Sequence, residues 1–169
     1  MKIRFFLALF FLILSQTHCF ASSSYVLPYP GYMPGNKLYI LDHGFDKIQN
    51  VLSFGSISQF KRSLALSDKN LVEAKTLFEY GQYKLAINAL RESDLHYIKI
   101  YPLLKKAQKK GVDISEKEKL LKEASAKHKE ILLELRTKVP SEFMWEDEES
   151  TPLKLEIHKK IIKSITLRS

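Results

Sequence analysis

The sequence predicts an all-α protein, an antiparallel up-down helical bundle with heptad-like packing, preceded by an extended Pro/Tyr-rich arm. Three observations predict it. Apolar and small residues alternate steps of three and four from Ile57 to Phe78 and again from Tyr83 to Ala107, the pattern of helices with one buried stripe. Gly81 and Gly111 follow these stripes, where left-handed helix stops are expected. The connections they leave are short, which makes successive helices antiparallel neighbours.

The chain opens on Lys2 and Arg4, then an unbroken apolar run from Phe5 to Leu14 and a polar stretch closing on Cys19-Phe20-Ala21. A charged start, an apolar stretch of about 7–15 residues and small residues before the scissile bond define a secretory signal peptide. The run is too short for a membrane span, which needs about 20 apolar residues. Residues 1–21 are therefore expected to be a signal peptide cleaved near Ala21, leaving Ser22 first and the mature chain secreted, periplasmic or at the cell surface. An uncleaved anchor is the alternative. Cys19 is the only cysteine, so cleavage leaves no thiol for a disulfide or for catalysis. Lipid attachment at Cys19 is disfavoured because Gln16-Thr17-His18 lacks the residues a lipoprotein peptidase accepts.

Residues 22–37 form the arm. Pro28, Pro30 and Pro34 fix φ and remove backbone donors, so the segment is extended and polyproline-like. Tyr25, Tyr29 and Tyr32 interleave with the prolines as candidate partner-binding residues. One reading is a recognition arm for a partner groove. The other lays the arm across its own bundle, with the rings filling gaps between helices.

The bundle domain is placed at 38–140. Leu38, Leu41, Phe45, Ile48 and Leu52 give the first apolar face, weakened by Gly44 and ended near Gly55. The second stripe runs Ile57, Phe60, Leu64, Ser67, Leu71, Ala74 and Phe78; the third runs Tyr83, Ala86, Leu90, Ser93, Tyr97, Ile100, Leu104 and Ala107. Pro102 should bend that third helix near Ile98–Tyr101, or break it in two. The fourth helix is expected from Ser115, with Glu118 completing a capping box. Its stripe is Leu121, Ala124, His128, Ile131 and Leu135, and Pro140 ends it. The small residues Ser67, Ala74, Ala86, Ser93 and Ala124 would let the helix axes approach closely.

Residues 141–152 are acidic and read as a linker, although Phe143, Met144 and Trp145 lie within it. Residues 153–169 read as a basic amphipathic segment. As a helix it sets Leu153, Ile157, Ile161 and Ile165 to one side, with Lys159, Lys160 and Lys163 largely elsewhere; the alternation of Leu153, Leu155 and Ile157 could instead begin a strand. Ile157, Lys159, Lys160, Ile161, Lys163 and Ile165 are the candidate membrane-binding residues.

The chain holds 27 Lys and Arg against 19 Asp and Glu. Loss of Lys2 and Arg4 with the leader leaves 25 against 19, a net charge of +6. For an exported chain this favours anionic envelope polymers or the head groups of an anionic membrane surface over nucleic acid; the partner expected is a protein or an envelope polymer, with the membrane surface as the alternative. The run Lys105-Lys106 and Lys109-Lys110 closes the third helix, where cations suit the negative end of the helix dipole. No phosphate loop, nucleophile elbow, zinc-binding HExxH or paired-cysteine signature is present. No catalytic, cofactor-binding or metal-ligating residues and no cofactor are therefore expected, and the protein reads as a non-enzyme. His43, His96, His128 and His158 fall on different predicted elements. His128 stands out because it lies on an apolar stripe: it is either a core-edge histidine bonded to a neighbour, or a ligand or pH-switching residue.

Ala74, Leu77, Gly81, Tyr83, Ala86 and Leu90 resemble the turn of a tetratricopeptide repeat, but no second copy follows at about 34 residues. A wider likeness is carried by Leu27-Pro-Tyr-Pro-Gly-Tyr-Met-Pro34 with Leu38-Tyr-Ile-Leu41. It continues through Ala65-Leu-Ser-Asp-Lys69, Phe78-Glu-Tyr-Gly-Gln-Tyr-Lys-Leu-Ala86 and Ala124-Ser-Ala-Lys-His-Lys-Glu-Ile-Leu132. Over residues 25 to 140 the chain resembles a family of exported bacterial proteins known only as a domain of unknown function and common in uncultured candidate-phylum bacteria. Lys37 departs from that family's tendency to proline, and Asp42-His43 from its tendency to a basic residue. The resemblance implies an extracytoplasmic helical domain and supplies no activity.

Three functions are compatible with these features. The first is an exported non-enzymatic module with a binding or structural role in the cell envelope. The second is a peripheral protein held on anionic membranes by the C-terminal segment. The third is an extracytoplasmic small-ligand or metal sensor centred on His128.

Overall fold

The computed structural model describes residues 25–34, 36–39, 41, 44, 46, 49, 53–147 and 150–169. The predicted signal peptide, Ser22 and His43 lie outside the described residues, as do Phe45, Ile48 and Leu52 of the first predicted stripe. The described positions 37–39, 41, 44, 46 and 49 are helical. The named elements are α1 (Ser56–Glu79), α2 (Tyr83–Tyr97), α3 (Ile100–Gln108), α4 (Ser115–Lys138), β1 (Phe143–Asp147), β2 (Ser150–Leu155) and α5 (Ile157–Leu167). The architecture is an all-α bundle carrying one small two-stranded sheet.

The glycine stops act as expected. At Gly81 (φ 71°) the Gln82 N–H reaches the Leu77 carbonyl at 2.9 Å, and the Gly81 N–H reaches Phe78 at 3.1 Å. This pair of bonds caps α1 and needs a left-handed residue. Gly111 (φ 77°) repeats it with Val112 on Ala107 and Gly111 on Gln108. The α1–α2 hairpin is the most extensive helix pairing, and α1 also packs on α3 and α4.

Three local expectations are revised. The single third helix is two helices, α2 and α3, separated at Ile98–Lys99. Pro102 has no N–H to bond the Ile98 carbonyl, so the chain turns there and restarts with proline in the first turn of α3. The capping box at Ser115 and Glu118 does not form: no side chain of the N-cap residue caps α4, and Asp113 Oδ1 instead accepts the Ser115 N–H at 3.0 Å and its hydroxyl at 2.7 Å. Pro140 does end α4, with Val139 forced into extended backbone.

The third revision concerns the acidic linker. β1 and β2 pair antiparallel, with Phe143 opposite Leu155, Met144 opposite Lys154 and Trp145 opposite Leu153. A lone hairpin is marginal in water, and this one is held by the bundle. Lys84 Nζ sits 3.2 Å from the Trp145 ring centroid, the Tyr83 and Phe143 rings lie 4.8 Å apart, and Leu155 is buried. Negative charge dominated the composition of this stretch, while the alternate Phe143 and Trp145 supplied the contacts.

The core is divided. One apolar cluster joins Leu71, Leu77 and Phe78 to Leu90, Leu132, Leu135, Ile157 and Ile161. The other joins Phe60 and Leu64 to Ile100, Leu104, Ile114 and Ala124. On α1, α2 and α4, residues between the two clusters are polar: Ser67 and Asp68, Ser93 and Asp94, and His128. α5 brings Ser164 and Arg168 to the same level.

Candidate functional site: a buried polar layer

The heptad stripes of α1, α2 and α4 each carry one polar turn, and stacking the helices in register brings these turns together. His128 lies at the centre, fully buried. Its Nε2 is 2.7 Å from Asp68 Oδ1, and Arg168 Nε is 3.0 Å from its Nδ1. A guanidinium nitrogen can only donate, so Nδ1 accepts and the imidazole proton resides on Nε2, pointing at Asp68. His128 is thus a neutral imidazole. Burial pushes its pKa below the usual histidine value; the Asp68 hydrogen bond opposes this and the Arg168 charge reinforces it.

The network extends from both partners. Tyr25 donates its hydroxyl to Asp68 Oδ2 at 2.5 Å, and burial, then Asp68, push the phenol pKa upward. Arg168 Nη1 reaches Asp94 Oδ1 at 2.5 Å and Ser164 Oγ at 2.6 Å, while Nη2 reaches Ser93 Oγ at 2.8 Å. Ser93 in turn donates to the Ser67 carbonyl at 2.8 Å. The guanidinium carbon lies 4.7 Å from the Tyr97 ring centroid, a cation–π arrangement in a desolvated site. Tyr97 is itself hydrogen-bonded to Ser125. Among the described residues the buried side-chain atoms lacking a partner are Ser56 Oγ and Arg62 Nε, neither in this layer. The layer therefore satisfies itself, the condition under which buried polar groups are tolerated.

His128 is bonded to neighbours, as one reading of its stripe position expected. Asp68, Asp94 and Arg168 were not singled out by sequence, and Ser67 and Ser93 were read as spacers. The available signal was one polar residue within each stripe, Ser67, Ser93 and His128, with an aspartate following each serine. Among the described residues no group of three or more His, Cys, Asp or Glu is placed to hold a metal ion.

The arm tyrosines part company. Tyr25 enters the layer, whereas Tyr29 is 94% and Tyr32 48% exposed. Leu27 and Met33, which flank Tyr29 and Tyr32 in the chain, pack on the core, so the arm lies along its own bundle. A cleft of about 630 Å³ separates Val26–Tyr32 from α1 near Arg62 and Lys69; Asp46 pairs with both cations at 2.5 Å, which lowers its pKa against the effect of burial.

The apolar candidates of the C-terminal segment are placed against the bundle. Ile157 and Ile161 are fully buried in the core, and Ile165 packs against it half-buried. Lys159, Lys160 and Lys163 are exposed. The apolar face of α5 is occupied by the bundle, which its Ile157, Ile161 and Ser164 spacing fits, so that face has nothing to insert into a bilayer while docked. The segment is also shorter than expected as a helix, since 153–155 belong to β2. Among the described residues no helix is long and apolar enough to cross a membrane.

Fold and layer define a helical domain whose polar chemistry is turned inward. The model of the family described as "Domain of unknown function (DUF5667)" matches residues 31–142, and the chain belongs to that family. Asp68, Asp94 and His128 fall inside the match, and Tyr25 and Arg168 outside it. No curated protein and no solved structure matches the chain significantly.

Proposed function

We propose that this chain is an exported, non-catalytic helical module that works in the cell envelope by binding a macromolecular partner with its outer surface. The observation that carries the non-catalytic part is the occupancy of His128. In an Asp–His pair serving as general base, the second ring nitrogen must face a nucleophile or water; here it accepts from Arg168 in a site closed to solvent. The same closure leaves a small-ligand or metal sensor at His128 without an approach. Export is supported by the charged start, the Phe5–Leu14 run and Ala21.

The test is expression of the full chain in a bacterial host, with fractionation and sequencing of the recovered N-terminus. The expected result is a chain beginning at Ser22 outside the cytoplasmic membrane. A chain retained in the cytoplasm with Met1 intact overturns the envelope reading. Turnover of a substrate that co-purifies through every step and is lost in His128→Gln overturns the non-catalytic one.

A further inference from the structure

The positive charge of the chain has one address. Of the 25 basic and 19 acidic residues from Ser22 onward, ten and four lie between Lys99 and Lys129, so the remainder is balanced. These ten lysines belong to the α2–α3 joint, α3, the turn at Gly111 and α4 as far as Lys129. The helix dipole accounts for Lys105 and Lys106 at the end of α3. It does not account for Lys117, Lys119 and Lys122, which stand in the first turns of α4, where the dipole disfavours cations. Lys105 approaches Glu118 only at 4.0 Å, while Lys117 and Lys127 pair with Glu116 and Glu130. Lys106, Lys109, Lys110, Lys119, Lys122 and Lys129 make no ion pair among the described residues.

Beside these cations α3, α4 and the chain end Leu167–Ser169 enclose a cleft of about 650 Å³, with Glu118 as its one acidic lining residue. Its floor is Ile100, Leu104 and Leu121; Lys122 and Lys129 line its α4 side, and Tyr101, 58% exposed, lines its α3 side. A soluble polyanion needs cations alone. An apolar floor edged by tyrosine and lysine suits a ligand with an acyl part and an anionic head, and tyrosine with lysine is the usual pairing at the lipid–water boundary.

We infer that the α3–α4 end of the bundle is a docking surface for an anionic lipid bilayer, with the lysines on the head groups and Tyr101 and the cleft at the acyl boundary. This moves membrane contact from the apolar face of α5, which is spent on the core, to α3 and α4, with Leu167–Ser169 of the C-terminal segment at the edge of the cleft. It deepens the proposed binding role and rests on the envelope reading only for where the protein meets the lipid.

The experiment is co-sedimentation of the full chain, purified as the host processes it, with phosphatidylglycerol–phosphatidylcholine vesicles and with phosphatidylcholine vesicles. Three proteins are compared: the native chain, the triple variant K106Q/K109Q/K110Q, and K159Q/K160Q/K163Q as a control of equal charge change on α5. Circular dichroism establishes that all three are folded, and every substituted lysine is solvent-exposed. The native chain should bind the anionic vesicles and lose binding as salt rises. Each near-surface lysine is worth about fivefold in affinity, so the α3 variant should bind at least about tenfold more weakly and the α5 variant within about twofold of native. Equal loss in both variants, loss in the α5 variant alone, or no preference for anionic vesicles overturns the inference. So does binding of soluble polyphosphate without binding of vesicles. Failure here with a mature chain recovered outside the membrane would remove the lipid and leave the envelope reading standing.

Discussion

Arg168 donates its Nε proton to His128 Nδ1 across 3.0 Å, joining the end of α5 to the middle of α4. This bond fixes the tautomer of the imidazole and, through Nε2, its bond to Asp68. Protonation of His128 would place two N–H groups face to face. The contact therefore couples docking of α5 to the charge state of one buried ring.

That coupling predicts a pH dependence with a definite sign. Burial holds the native pKa of His128 below its unfolded value of about 6.5. Between those two values the unfolded chain binds the proton and the native chain does not, so stability falls as pH drops. It should be constant above the unfolded pKa and decline by up to about 1.4 kcal/mol per pH unit below it, until the native pKa is reached. His96, whose pKa burial also lowers, adds to the same trend. Urea unfolding at a series of pH values should show the slope in the native protein and a shallower one in His128→Gln.

Arg168→Ala leaves His128 Nδ1 buried without its donor and takes the cation from the part-buried Asp94, which keeps only the Ser164 hydroxyl. Removal of one partner from a buried ion pair costs about 3–5 kcal/mol, and loss of that size should appear as a shift in the urea midpoint. Arg168→Lys should recover little, because a single ammonium cannot reach Asp94, Ser93 and His128 with the geometry of the guanidinium fork.

Tyr25→Phe removes one hydrogen bond to Asp68 while His128 keeps the other. A bond to a charged group contributes about 1.5–3 kcal/mol. The variant should be destabilised toward the lower end of that range, since Tyr25 is half-buried. Limited proteolysis should cut within 25–34 well before the helices open; cleavage at the native rate would show that Tyr25 does not hold the arm.

Ile161→Ala tests whether α5 is part of the bundle. A fully buried isoleucine cut to alanine costs about 2–5 kcal/mol, and the loss should register in the global melting transition of the helices. A free tail would leave that transition unmoved.

Much of the fold was legible because its signals are local. A three-four stripe reports a helix from its own residues, and Gly81 and Gly111 stop helices through φ angles that other residues strain to adopt. Pro102 announced a bend or a break by lacking an N–H; which of the two occurs depends on how Ile100 and Leu104 pack on α1. The hairpin escaped notice because Glu142 and the acids from Glu146 to Glu149 outweighed the alternation of Phe143 with Trp145. That alternation means little until Tyr83 and Lys84 provide a surface to meet it.

The candidate site was half legible. A histidine on an apolar stripe is conspicuous, and His128 was found that way. Asp68 and Arg168 were not found, because 60 and 40 residues separate them from His128. The sequence by itself determined the helical stripes, the stops at Gly81 and Gly111, the extended arm and the histidine on the stripe of α4. Only the tertiary structure decided that the polar turns of α1, α2 and α4 share one level, and that α5 spends its isoleucines on the core. Helical period and backbone stops are properties of a few neighbouring residues. Partnership among buried polar groups depends on the axial register of α1, α2, α4 and α5, set by the packing of the whole bundle.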